Sequence, residues 1–192
     1  MNLRINEQWR TAGNEWYRAI WIECGEMLDH YGWKWWKHQE PDMEQVVLEI
    51  VDIWHFVLSS LLEHQQDKEA IAQQLSLSFN SDHSGLSIPE AIENLASATL
   101  NSRQAEIPAF FELMAVAGLS LDDLYRSYIG KNVLNFFRQD HGYKDGTYQK
   151  LWGGREDNEY LVETAGALDT NSADFQQALY DGLKAHYDRL CS

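Results

Sequence analysis

The chain has 192 residues, with 30 Asp and Glu against 15 Lys and Arg and a net charge of −15. That length suits one domain or two small ones with a real core, and the charge argues against duplex nucleic acid as a partner, because phosphates repel such a surface. Few prolines, no low-complexity run, no signal-peptide pattern and no unbroken apolar stretch of the roughly 18 residues needed to span a membrane lead to the expectation of a folded cytoplasmic protein with no membrane partner.

In chain order the pattern is helical almost throughout. A first helix is predicted from about Asn14 to Tyr31, stopped by Gly32, a residue suited to a left-handed helix end. After Pro41, Asp42 followed three residues later by Gln45 marks a helix start, and the apolar run continues to about His64. The segment 80–85, "NSDHSG", is the one plausible break. "SIPE" at Ser87 to Glu90 opens another helix, with proline tolerated in its first turn. Further helices are predicted from Ile107 to Ala117, ended by Gly118, and from Ser120 to about Gln139. The glycine-rich stretch 141–155 reads as a functional loop, and a last helix runs from about Ser172 to Leu190. No strand alternation and no repeat is evident, so the fold class is all-α, a helical bundle. Cys24 and Cys191 make no metal-ligand pair and fit a reducing compartment.

Two of these helices carry acids in apolar surroundings. "WIECGEML" holds Glu23 and Glu26, and "VVLEIVDIWHFVLSSLL" holds Glu49 and Asp52. Residues three apart share a helix face, and helices joined by a short loop usually pack antiparallel, so the four carboxylates are expected to converge. No Lys or Arg lies between Arg18 and Lys34 or between Lys37 and Lys68. A solvated acidic face is the alternative. Converging carboxylates need cations, and oxygen-only ligation favours Mg²⁺ or Mn²⁺, which usually bridge to substrate phosphates. A di-iron bundle would want Glu-x-x-His on two helices, and only Asp52-x-x-His55 comes close.

Cations for phosphate lie elsewhere. Residues 130–158 hold Lys131, Arg138, Lys144, Lys150 and Arg155, five of the fifteen basic residues. Lys131, Asn135 and Arg138 share one helical face, while Val133, Leu134 and Phe137 fill the other. Arg can hold phosphate bidentately, whereas Lys acts as a point charge.

The combination "E-x-x-E … WKWWK … E-x-x-D-I-W-H-F", followed by "KNVLNFFRQ-x-x-GYK-x-G-x-Y-x-K-x-W-x-G-x-EDN", resembles the all-α, dimeric dUTPase family, which is related to MazG-type nucleotide pyrophosphohydrolases. The resemblance covers residues 14 to about 62 and 130 to 160. It implies a single all-α domain with a four-helix core, a homodimer, and hydrolysis of dUTP, and of dUDP, to dUMP. By the same resemblance Glu23, Glu26, Glu49 and Asp52 hold Mg²⁺, with Glu23 or Glu26 also orienting or deprotonating the attacking water. Lys131, Arg138 and Lys150 match phosphate contacts, and Asn135, Tyr143 and Asn158 match residues around the deoxyribose and phosphates. Trp36, His55 and Phe56 line up beside the nucleoside pocket, with plain core roles as the alternative for Trp36 and His55. The family sets a Gln and an Asn of its first helix against the base, where this chain offers Asn6 or Gln8. Residues 65–125 match no motif. Two other readings are a pyrophosphohydrolase of another nucleotide such as dCTP, and a non-catalytic helical bundle with solvated acids.

Overall fold

A computed structural model describes residues 2–65, 67–79, 85–170 and 172–191. Most of the predicted break at 80–85 lies outside the described residues. The chain forms two compact units, Asn2–Leu121 and Asp122–Ser192.

In the first unit, α1 (Asn2–Ile5) and a 3₁₀ turn (Trp9–Thr11) precede α2 (Trp16–Tyr31), α3 (Met43–His64), α4 (Lys68–Phe79), α5 (Ile88–Ser102) and α6 (Ile107–Val116). The α2 helix stops at Gly32 because the backbone turns left-handed there, at φ 91°, and the glycine N–H donates to the Leu28 carbonyl. A side chain would not fit at that point either, since a Cβ would lie 2.8 Å from the Cβ of Gln39. The chain then reverses, and the Asp42 N–H donates to the carbonyl of His30, bringing the end of α2 against the start of α3. Asp42 caps α3 by accepting from the Gln45 N–H, and Glu90 caps α5 by accepting from the N–H and hydroxyl of Ser87. Both starts match the sequence expectation.

The α2 helix packs mainly on α3 and α5, and α6 on α4 and α5. Ile20, Cys24 and Met27 of α2 meet a core that includes Ile50, Ile53 and Val57 of α3, with Leu95 and Phe110 buried beside them. Trp54 of α3 stacks on Phe110 at 5.2 Å. Despite Glu49 and Asp52 in its middle, α3 is long and apolar enough, by length and composition, to cross a membrane, contrary to the count of unbroken apolar residues. Half of its most apolar stretch is buried inside the protein, as in a core helix.

The second unit holds α7 (Leu121–Asp140), the hairpin β1 (Leu151–Trp152) and β2 (Arg155–Glu156), α8 (Asp157–Gly166) and α9 (Phe175–Leu190). Its core is built around Leu134, Phe137, Trp152, Leu161, Leu179 and Leu183. The hairpin corrects the expectation of no strand. Gly153 and Gly154, at φ 57° and 91°, supply the two left-handed positions that a tight hairpin turn requires. Among the described residues the short α1 and two longer helices, α4 and α8, were also missed. Asp67 starts α4 by accepting from the Glu69 and Ala70 N–H groups, and Glu159 starts α8 by accepting from the Glu156 N–H.

Candidate functional site

The two acidic helices do converge. One carboxylate oxygen from each of Glu23, Glu26 and Glu49 lies within 4.8 Å of the other two. Glu49 is 8% exposed, Glu23 half-buried and Glu26 exposed. Asp52 lies outside this triad, one turn along α3, with its charge acting on Glu23.

Like charges this close cannot all ionise cheaply. The Glu23 carboxyl is pushed from its ordinary 4.5 up to about 8, first by burial, then by its hydrogen bond to Glu49 and the charges of Glu49, Asp52 and Glu26. The metal-free cluster therefore keeps a proton at neutral pH. The expectation that neither helix supplies a basic partner needs one correction, because it counted only Lys and Arg. Nε2 of His30, on the last turn of α2, lies 3.4 Å from Glu49 Oε1. A set of carboxylate oxygens with surplus negative charge fits a hard divalent cation.

The other expected residues of this unit divide. His55 is buried, and its Nδ1–H donates to the Val51 carbonyl at 2.9 Å while standing 4.0 Å from Asp52 Oδ1. That bond is the one a core histidine makes. Phe56 stacks on Trp16 at 6.3 Å, and Trp16 lines an open cleft with Asn14, Tyr17, Ser60, Glu63 and Arg103. Trp36 is no core residue, for it is 58% exposed and meets Trp33 and Trp35 edge-on at 5.2 and 5.3 Å. Asn6 and Gln8 lie on an exposed segment, where the Asn6 side chain accepts from the Gln8 N–H. Cys24, next to Glu23, is buried and its thiol is pushed up to about 12, chiefly by burial, so it is inert near neutral pH.

In the second unit, Lys131 is buried on α7, and Arg138 follows two turns on. The Arg138 guanidinium forms a two-pronged ion pair with Asp157, Nε to Oδ2 at 2.7 Å and Nη2 to Oδ1 at 2.8 Å. Its Nη1 points at Asn135 Oδ1, 3.5 Å away. Asp157 is wholly buried and also accepts from the Tyr148 hydroxyl at 2.7 Å. Burial works against the charge on Arg138, but the Asp157 carboxylate outweighs it and holds the guanidinium charged. Tyr143 is exposed, with its ring 6.1 Å from that of Tyr148. Lys150 is exposed and stands 3.8 Å from Glu156. Asn158, on the first turn of α8, has a buried Oδ1 with no hydrogen-bond partner. Arg155 pairs with Glu159 and Glu163 on the surface.

Sequence reasoning missed His30, Tyr148 and Asp157. Asp157 stands in the motif "EDN", and the signal that would have found it is an acid inside the most basic block of the chain.

A family model described as dUTPase matches residues 1–143. The match takes in the N-terminal segment and the middle of the chain, where no motif was legible, and it removes the reading of a non-catalytic bundle. No curated protein matches. Enzymes of this family generally use a divalent metal, consistent with the acidic cluster. The chain belongs to the dUTPase family and is a dUTP diphosphatase that hydrolyses dUTP to dUMP.

Proposed function

We propose that the carboxylate cluster of Glu23, Glu26, Glu49 and Asp52 is the catalytic centre, holding Mg²⁺, with Mn²⁺ as a substitute. The carrying observation is the convergence of three carboxylates from α2 and α3, at a charge density that retains a proton on Glu23. Bound there, the ion would neutralise the substrate's polyphosphate and stabilise charge developing at the reacting phosphorus.

The chain's own groups then have definite tasks. Glu23 or Glu26 orients a water and takes its proton as the water oxygen attacks the α-phosphorus. The bond from that phosphorus to the bridging oxygen breaks, and pyrophosphate leaves with the electron pair. A bound cation would displace the proton that Glu23 retains without metal, leaving a carboxylate able to accept the water's proton. With dUDP the same step would release phosphate.

Lys131, Arg138 and Lys150 contact phosphates, and Asn135, Tyr143 and Asn158 line the sugar and phosphates. Trp36 and Phe56 offer ring faces to the nucleoside, and His55 holds its place beside Asp52. The chain works as one cytoplasmic domain and as a homodimer, with no membrane or duplex nucleic acid partner. The test is pyrophosphate release from the eight common ribo- and deoxyribonucleoside triphosphates and dUTP, with Mg²⁺ and with EDTA. Turnover of dUTP abolished by EDTA supports the assignment. Metal-independent turnover overturns the role of the acids, and preference for dCTP moves the base selectivity to the MazG-like alternative.

A further inference from the structure

We propose that Asp157 is a positioning residue for the hydrolysis: it presets which edge of the Arg138 guanidinium faces substrate phosphate, and through Tyr148 it ties that setting to the loop 141–156. The inference rests on the reading of Arg138 as a phosphate contact. All the groups involved belong to the second compact unit.

A guanidinium is a planar fork with two edges able to grip an oxyanion bidentately, Nε with one terminal nitrogen and the two terminal nitrogens together. Asp157 occupies the first edge completely, at 2.7 and 2.8 Å. Asn135 lies near Nη1 at 3.5 Å, a long and weak contact that a better acceptor displaces. The Nη1–Nη2 edge is therefore the one left for a bidentate phosphate. Without Asp157 the side chain would be free to rotate, and either edge could turn to the ligand, so that each binding event would have to order it.

The carboxylate does more than steer Arg138. Its Oδ2 also receives the Tyr148 hydroxyl, and the Asp157 backbone N–H donates to the Lys150 carbonyl at 3.0 Å. Tyr148 is stacked on Tyr187 of α9 at 5.5 Å with the rings 6° from parallel. The loop that carries Tyr143 and Lys150 is thus fastened at residues 148 and 150 to the same aspartate that orients Arg138. A wholly buried charge needs neutralising, but one hydrogen-bonded arginine would do that. The additional bonds to the loop have no part in neutralisation, and they give the network its reach.

The experiment is steady-state kinetics with dUTP at saturating Mg²⁺ for D157N, Y148F, R138A and the double variant R138A/D157N, with circular dichroism as a check of folding. D157N keeps the volume but turns an N–H toward one guanidinium nitrogen. It is expected to raise KM for dUTP about tenfold or more while kcat changes by less than about twofold, as for lost preorganisation of a binding group. In the R138A background the same change should add nothing to KM, because the effect runs through Arg138. Y148F should give a smaller rise with the ion pair retained. If R138A raises KM and D157N does not, the positioning role is wrong and the phosphate reading stands. If R138A itself leaves KM unchanged, the phosphate reading fails first. Should D157N not fold, Y148F decides, and an unchanged KM there overturns the link to the loop.

Discussion

Glu23 of α2 and Glu49 of α3 share a hydrogen bond between carboxyl groups, which requires that one of them carry a proton. The pair sits where Glu26 and Asp52 add further negative charge, and it sets how the metal-free protein responds to pH.

A carboxyl raised on folding from 4.5 to about 8 stabilises the fold fully below about 4.5, and this contribution is lost as pH rises through about 8. The Tm of the EDTA-treated protein should therefore fall between pH 5 and 9. Glu23→Gln, which stays neutral, should flatten the slope, and Mg²⁺ should oppose the fall. Thermal melts across this range check it, and equal slopes for both proteins would remove Glu23 as the cause.

Glu49→Gln should lower kcat by more than the about 100-fold typical of losing a residue that merely supports a metal ligand. The fold should survive, because the substitution relieves repulsion and keeps the volume. Near wild-type turnover, measured by pyrophosphate release, would take Glu49 out of the mechanism.

Arg138→Ala should cost about 3–5 kcal/mol in urea denaturation, because it strands the wholly buried Asp157 charge. Replacing both partners, Arg138→Met with Asp157→Leu, should recover most of that stability but not the affinity for dUTP. Recovery of both would mean the pair is structural only.

Gly32→Ala should destabilise by at least about 1 kcal/mol, since a left-handed backbone is unfavourable for any residue with a Cβ. The 2.8 Å approach to Gln39 adds to this cost. Because Gly32 sets the turn between the two acidic helices, KM for dUTP should be followed beside the denaturation midpoint. A neutral result in both would show that the turn adapts.

Several helix starts and stops were legible from local signals, although the equally local caps at Asp67 and Glu159 were passed over. Asp42 and Ser87 cap as their sequences suggest, and Gly32 stops α2 because its conformation depends on a few neighbouring atoms. The helix α8 and the hairpin before it were not legible. In that region of loop glycines and charges the ordering comes from remote contacts, such as Tyr160 donating to the Trp152 carbonyl and Trp152 buried in the core.

For the site, spacing alone put Glu23 and Glu26 on one helix face and Glu49 and Asp52 on another, since the helix period is a property of the chain. Sequence also showed that no Lys or Arg lies between Arg18 and Lys34 or between Lys37 and Lys68. Only tertiary structure decided that Glu49 is buried while Glu26 is exposed, that His30 comes to rest beside Glu49, and that the guanidinium of Arg138 is committed to Asp157. These outcomes depend on how helices pack and on which polar groups lose water. Burial and ion pairing join residues distant in sequence, and no local pattern encodes their balance.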